Sequence, residues 1–169
     1  MTHQCDGTHV HSPEYMRELA NHPTILGVDP GVSTGICLAH YVGGKYHYIT
    51  STHTDVKSVW DLIDVPVEVV IIERFHAQVI SKYGLHTVDL IGGIKALADR
   101  AGIQVIEDTP TQRKPYMTYA RFIVPHNPSI TRTEQRHEID ATAHVVRYLY
   151  NIGHITSLKV DDNGTQQER

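Results

Sequence analysis

Apolar runs that alternate with turn residues near the start of the chain predict a β-hairpin. In TILGVDPGVSTGICLA, residues 24–39, the runs ILGV and ICLA are separated by a short stretch that contains Pro30 and Gly31. Proline and glycine are the strongest local turn signals, and so few residues leave no room for a crossover helix. We therefore expect two antiparallel strands, with Asp29 at the end of the first.

Three further strands and one short helix follow from the same kind of pattern. KYHYITSTHT, residues 45–54, alternates aromatic and β-branched residues, which predicts a third strand. VEVVIIERF, residues 67–75, is nearly continuously apolar, as in a strand that is covered on both faces. IQVIED, residues 103–108, predicts a fifth strand, whereas SVWDLID, residues 58–64, is long enough for two helical turns at most.

A long helix is predicted over residues 82–102, KYGLHTVDLIGGIKALADRAG. Its apolar residues recur at helical spacing, but over a surface too wide for contact with one sheet alone. The pair Gly92 and Gly93 costs about 1 kcal/mol per glycine relative to alanine. Two explanations remain open: the helix approaches a second helix closely, as in a dimer, or it is fully buried in the core.

The last helix is the best defined by its end signals. Thr131 with Glu134 three residues later forms a capping box, and Gly153 suits the left-handed position that closes a helix. Before this helix, residues 108–129 form a basic, aromatic segment that prolines interrupt. The predicted order is thus three strands, then alternating strands and helices, then a C-terminal helix.

Length and composition indicate one domain. A chain of 169 residues fits the usual domain size of about 100–150 residues with short extensions. We expect a polar leader at residues 1–23, a folded domain at residues 24–153 and a tail at residues 154–169. Cys5 and Cys37 show no disulfide pattern, and no apolar run reaches the ~20 residues that span a membrane. These features predict a cytoplasmic protein without a membrane partner.

Charge is distributed unevenly along the chain. The net charge is −4, which by itself argues against a nucleic-acid partner. Residues 109–136, however, carry five basic residues against Glu134 alone. This concentration predicts one basic face, and an ordinary solvated surface is the alternative. The basic residues are Arg113, Lys114, Arg121, Arg132 and Arg136.

Asp29 has several possible roles when its segment is considered alone. An aspartate before proline and glycine commonly starts a turn. The glycine-rich fingerprints of nucleotide sites are absent. A phosphate-binding hairpin of the actin and sugar-kinase type reads similarly, although those two-lobed proteins need a longer chain. The rest of the sequence has to decide between these roles.

Two other segments give Asp29 candidate partners. Glu73 also ends an apolar strand, so a parallel pairing would place both carboxylates at one edge of the sheet. On the last helix, His137, Asp140 and His144 fall within about 60° of one another at 100° per residue, and Glu138 points elsewhere. Carboxylates with histidine suit Mg²⁺ or Mn²⁺ better than structural zinc. Two such ions would stabilise the attacking oxygen and the leaving oxygen when a phosphodiester is cleaved.

Three segments together resemble a known family. ILGVDPGVSTGICLA, VVIIERF and HEIDATAHVV look like the active-site segments of RuvC-type Holliday junction resolvases, which belong to the RNase H-like superfamily. The resemblance covers roughly residues 24–153. It implies an RNase H-like α/β fold, a five-stranded mixed sheet with helices on both faces. The divergence from the cellular bacterial form, with no glycine-rich segment after Lys114, looks more like a bacteriophage member.

The resemblance also implies roles for individual residues. Asp29, Glu73, His137 and Asp140 would be catalytic metal ligands for Mg²⁺ or Mn²⁺, with two ions in each site. Lys114 would be catalytic beside the scissile phosphate, and Phe75 would be the aromatic residue that probes the junction centre. The family forms homodimers through the helix after the glutamate strand, here residues 82–102. The arginines at positions 113, 121, 132 and 136 would bind backbone phosphates without reading the base sequence.

The sequence therefore predicts a metal-dependent, structure-selective DNA endonuclease that resolves Holliday junctions or branched DNA as a homodimer. Two alternatives stay open. One is a broader flap or RNA–DNA hybrid nuclease of the same fold. The other is a non-catalytic branched-DNA binding protein, against which the intact acidic set argues because carboxylates without metal repel one another.

Overall fold

A five-stranded sheet with helices on both faces makes up most of the structure, a computed structural model that describes residues 22–54, 56–61, 67–74 and 82–158. Every strand expected from the apolar runs is present within three residues of its predicted limits. The elements are β1 (Ile25–Asp29), β2 (Thr34–Val42), β3 (Lys45–His53), α1 (Val56–Asp61), β4 (Val69–Glu73), α2 (Lys82–Ala101), β5 (Gln104–Asp108), α3 (Pro110–Arg113), a 3₁₀ turn (Lys114–Tyr116), α4 (Met117–Ile123) and α5 (Arg132–Asn151).

The strands follow the order β3-β2-β1-β4-β5. β1 pairs with β2, and β2 with β3, in antiparallel fashion, as the short turns require. β1 pairs with β4, and β4 with β5, in parallel. The predicted hairpin and the mixed sheet are thus confirmed. The carboxyl ends of β1, β4 and β5 lie side by side at one edge of the sheet.

The sheet buries both of its faces, because side chains alternate between the two sides of a strand. On one face, Ile25 and Ile71 pack with Ala141 and Val145 of α5. On the other face the apolar residues of the same strands pack against α2. This second cluster includes Leu26, Val28, Val70, Ile72, Leu90, Ile94 and Ala98.

Helix α2 is buried on a narrower surface than its sequence suggests. Leu90, Ile94 and Ala98 are buried against the sheet, but Leu85 is 55% exposed and Val88 is 49% exposed. A Cβ added at Gly92 would meet nothing within 4 Å. The expectation of a helix fully buried in the core of this chain is therefore wrong. An apolar strip remains exposed on the outer side of α2.

The ends of α5 form as the sequence predicts. Thr131 is the N-cap, its hydroxyl accepts from the Glu134 backbone N–H at 3.2 Å, and the Glu134 carboxylate accepts from the Thr131 N–H at 2.7 Å. Gly153 has φ +79°, the left-handed conformation that ends helices. The start of α5 is thereby fixed close to the edge of the sheet.

Two glycines let α5 approach the sheet closely. A Cβ at Gly27 of β1 would lie 2.5 Å from the carbonyl oxygen of Ala141, and one at Gly35 of β2 would collide with the backbone of His137. Any side chain at these positions would push the helix away, since a packed interior has no space to absorb it. The glycines therefore set the height of α5 above the strand ends.

Several expectations concern residues at or beyond the limits of the described chain. Residues 1–21 and 159–169, and with them most of the predicted leader and tail, lie outside the described residues. His22 stacks on Tyr41 at 3.6 Å, and Ile155 is buried, so packing extends slightly past both predicted boundaries. Cys37 is buried and unbonded to another cysteine. Among the described residues, no helix has the length and apolarity needed to cross a membrane.

Replacing Gly35 with alanine should destabilise the protein by about 1–3 kcal/mol, because the new methyl group overpacks the contact with α5. Urea unfolding followed by circular dichroism measures this change. Gly92→Ala, measured at a concentration where the protein is monomeric, is the control, since its Cβ meets open space in the single chain and should stabilise α2 by about 1 kcal/mol. Equal effects of the two substitutions would contradict the close approach.

Candidate active site

Three carboxylates form a row at the carboxyl ends of the parallel strands. Asp29, Glu73 and Asp108 are the last residues of β1, β4 and β5. Glu73 pairs directly with Asp108, and the β1–β4 register, which matches Val28 with Ile72, places Asp29 beside Glu73. All three share the face that carries Ile25, because they lie at even spacing along their strands. This is the face that α5 covers.

Helix α5 brings a histidine and a fourth carboxylate over this row. His137 Nδ1 donates to Oδ2 of Asp29 at 2.6 Å. Burial raises the pKa of Asp29, and the negative charges of Glu73 and Asp140 act in the same direction. The hydrogen bond to Asp29 in turn raises the pKa of His137. Asp29 and His137, predicted from separate segments, are thus in direct contact.

Arg113 lies between Glu73 and Asp140. Its Nη1 donates to Oε2 of Glu73, and its Nη2 donates to Oδ2 of Asp140 at 2.7 Å. Burial opposes a charge here, but the hydrogen bond to Asp140 and the charge of Glu73 raise the pKa of Arg113. The single positive charge of the guanidinium therefore reduces the repulsion between the two carboxylates. The sequence placed Arg113 among the phosphate-binding arginines, whereas the structure places it inside the site.

A buried network lies beside Glu73 on the β5 side. His144, fully buried, faces Asp108 Oδ2 with Nδ1 at 2.8 Å and Glu73 Oε2 with Nε2 at 3.0 Å. Arg147 Nη1 also lies 2.8 Å from Asp108 Oδ2. Burial alone would raise the pKa of Asp108, but hydrogen bonding to His144 and the charge of Arg147 lower it. Asp108 is thus an ionised carboxylate in a buried position.

Glu138 belongs to a different contact, as its helical angle predicts. Its carboxylate accepts from the Thr52 hydroxyl of β3 at 3.1 Å. Burial raises the pKa of Glu138. This acid therefore faces away from Asp29 and supports the packing of α5 against β3.

The remaining basic candidates lie on the surface. Lys114 is exposed in the 3₁₀ turn directly after Arg113. Arg121 and Arg132 are exposed as well. Arg136 is 77% exposed, with Nε 3.9 Å from Asp140 Oδ2. Phe75 lies outside the described residues. Of the basic candidates, Arg113 therefore lies within the carboxylate row and Arg136 approaches Asp140, whereas Lys114, Arg121 and Arg132 are exposed surface residues.

The donor set suits a hard divalent cation. Asp29, Glu73, Asp140 and His137 supply carboxylate oxygens and one imidazole, which Mg²⁺ and Mn²⁺ accept. Oδ1 of Asp140 is buried and has no hydrogen-bond partner among the described residues. A buried oxygen without a partner is compatible with a cation ligand. Over the described ranges, no three acidic, cysteine or histidine side chains already surround a position for a metal ion. Arg113 instead supplies positive charge between Glu73 and Asp140.

Sequence reasoning missed Asp108 and the partner of His144. Asp108 ends an apolar strand just as Asp29 and Glu73 do, so the same signal would have found it. His144 was recognised as part of the polar strip on the last helix, but without a partner. Its contact with Asp108 becomes visible only when β5 is placed beside β4.

No protein-family model and no curated protein matches the sequence. The fold does match solved structures. One is Thermus thermophilus RuvC in complex with a Holliday junction substrate, with a TM-score of 0.56 and 16% identity. A second structure of Thermus thermophilus RuvC gives a TM-score of 0.56 and 14% identity. Each comparison covers 77% of this chain and 96% of the other. The chain has the RuvC-like form of the RNase H-like fold.

Replacing Arg113 with glutamine should destabilise the metal-free protein by about 3 kcal/mol, because Glu73 and Asp140 would remain buried without a compensating charge. Chemical unfolding in the presence of a chelator measures this loss. Arg121→Gln is the matched control, since this exposed arginine should change stability by less than about 0.5 kcal/mol. Similar losses in both variants would argue against the bridging role.

Proposed function

We propose that this protein is a Mg²⁺- or Mn²⁺-dependent endonuclease that resolves four-way or otherwise branched DNA. The observation that carries this proposal is the convergence of Asp29, Glu73, His137 and Asp140 at one edge of the sheet. Supporting it, the fold matches a RuvC whose structure contains a Holliday junction substrate. A viral origin and a cytoplasmic location remain predictions from the sequence.

The four residues have distinct tasks in this proposal. Asp29, Glu73 and Asp140 hold the cations through carboxylate oxygens, and His137 completes the set with a ring nitrogen. Divalent ions held by these residues, two in each site, would activate the attacking water and stabilise charge on the phosphodiester. The protein fixes the ligands on rigid elements, two strand ends and one helix, so little reorganisation is needed when DNA binds.

The basic residues around the row guide the DNA backbone. Lys114 is exposed next to the site and stabilises negative charge that develops on the phosphate. Arg121, Arg132 and Arg136 are exposed on the same basic segment and contact phosphates without reading bases. Phe75 keeps its predicted role at the junction centre. Arg113 bridges Glu73 and Asp140 through Nη1 and Nη2, and its other N–H groups make the proposed phosphate contact.

The assembly we propose is a homodimer through α2. The exposed side of this helix presents Leu85, Val88 and Gly92, which recur at helical spacing and form an apolar strip. A twofold pair of such strips is self-complementary, and it gives two identical sites. Two sites are what paired incisions across a four-way junction require.

Asp29→Asn should abolish cleavage and preserve junction binding, because it removes a metal ligand and a negative charge while keeping the shape of the side chain. The measurement is cleavage and gel-shift binding on junction, flap, duplex and RNA–DNA hybrid substrates with Mg²⁺ or Mn²⁺. Glu138→Gln is the matched control, since this buried carboxylate bonds to Thr52 instead of facing the row.

The outcomes separate the candidate functions. Preference of the wild type for junctions supports the resolvase, and equal cleavage of flaps or hybrids supports the broader nuclease. If the wild type binds branched DNA but does not cleave it with either Mg²⁺ or Mn²⁺, the protein is a non-catalytic branched-DNA binder. Full activity of Asp29→Asn would show that the active site lies elsewhere.

Val88→Glu should shift the protein from dimer to monomer, because it places a charge in the apolar strip. Analytical ultracentrifugation at micromolar concentration should show twice the mass of 19.0 kDa for the wild type. Ile49→Glu is the control, since Ile49 is an equally exposed apolar residue, 56% accessible, on β3. A monomeric wild type, or a dimer that Val88→Glu leaves intact, contradicts the proposed interface.

A further inference from the structure

His144 has an environment that the proposed chemistry does not by itself explain. Its side chain is fully buried, and both ring nitrogens face carboxylates, those of Asp108 and Glu73. A buried histidine usually satisfies one nitrogen with a backbone carbonyl or a hydroxyl. Two carboxylate partners instead favour an imidazolium that donates from both nitrogens.

The end of the network at Asp108 is held firmly. Oδ1 of Asp108 accepts from the backbone N–H of Thr109 at 2.8 Å, and Oδ2 faces both His144 and Arg147. The carboxylate therefore has a fixed plane. Because the imidazole is rigid, fixing Nδ1 at Asp108 also fixes the direction of Nε2 towards Glu73.

The consequence for Glu73 is a defined carboxylate orientation. Oε2 of Glu73 receives Nε2 of His144 at 3.0 Å and also the guanidinium of Arg113. Both contacts go to the same oxygen, so they fix Oε2 of Glu73 from two directions and leave Oε1 out of both hydrogen bonds. Arg113 contacts Glu73 through a long side chain that has many rotatable bonds. His144 lies on α5, and its side chain is fully buried and therefore held more rigidly.

We propose that His144, backed by Asp108, is a positioning residue that holds Glu73 in its cation-binding orientation. The proposal rests on the proposed function, because it assigns Glu73 as a metal ligand. A ligand whose orientation is fixed by a second residue binds metal more tightly, and loss of such support commonly weakens affinity by 10–100-fold. A purely structural role would stabilise the fold without any preference for the hydrogen bond to Glu73.

Two substitutions separate the hydrogen bond of each imidazole nitrogen from that of the other. The amide nitrogen of asparagine occupies nearly the place of Nδ1, so His144→Asn keeps the donor to Asp108 and loses the one to Glu73. The amide nitrogen of glutamine occupies nearly the place of Nε2, so His144→Gln keeps the donor to Glu73. Each variant retains one of the two hydrogen bonds, and the two should lose similar stability.

The experiment measures Mn²⁺ binding by isothermal titration calorimetry on the full chain without DNA. We expect His144→Asn to bind Mn²⁺ at least about tenfold more weakly than the wild type. His144→Gln should bind Mn²⁺ with nearly the wild-type affinity. Thermal unfolding in chelator provides the stability of each variant, and Glu73→Gln is the reference for loss of the ligand. Equal Mn²⁺ affinities of the two His144 variants would overturn the positioning role while leaving the metal site in place.

Failure of the proposed function gives a different result. If the wild type does not bind Mn²⁺, or if Glu73→Gln binds it as well as the wild type, Glu73 is not a ligand. Both the metal-dependent function and the positioning role then fall. Mn²⁺ binding by the wild type and by Glu73→Gln is therefore sufficient to distinguish the two failures.

A second measurement uses the wild type and does not depend on the folding of any variant. Nuclear magnetic resonance of ¹⁵N-labelled histidine should show both ring N–H protons of His144, as burial protects them from exchange. Addition of diamagnetic Mg²⁺ should shift the Nε2–H resonance more than the Nδ1–H resonance. Shifts at His137 with no change at His144 would contradict a coupling between His144 and the ligand.

Discussion

The contact between helix α5 and the glycines of β1 and β2 determines the geometry on which the site depends. Gly27 and Gly35 let the helix backbone rest directly on the strands, where any side chain would hold it away. At this height His137 reaches Asp29, and Asp140 lies close enough to share Arg113 with Glu73. The sheet and the helix are in contact through their backbones. The functional side chains are therefore attached to two rigid elements whose separation is fixed.

Charge balance is the second condition that this geometry imposes. Several carboxylates lie within a small, largely buried region, which is unfavourable unless cations accompany them. Side chains within the structure provide positively charged partners for these acids. The acids are Asp29, Glu73, Asp108 and Asp140, and the cationic or ionisable partners are Arg113, Arg147, His137 and His144.

The sequence predicted the strands and the site residues to different extents, for physical reasons. Apolar runs and turn residues are local signals, so the hairpin, β4, β5 and the caps of α5 were found. Charges at strand ends pointed to Asp29 and Glu73, and helical spacing separated His137 from Glu138. The role of Arg113 could not be predicted, because it depends on how α3 packs against residues 40 and 27 positions away. The exposure of α2 was likewise invisible, since an apolar strip looks the same whether a core or another chain covers it.

The junction between β5 and α3 has almost no connecting chain. Asp108 ends the strand, Thr109 caps the helix, and Pro110 already begins it. One inserted residue would turn the helix by about 100° and carry Arg113 away from Glu73 and Asp140. Substitutions at Thr109 and Pro110 are therefore less harmful than changes in the length of this segment. Among relatives that keep this arrangement, we expect varied residue types at these two positions and a constant number of residues.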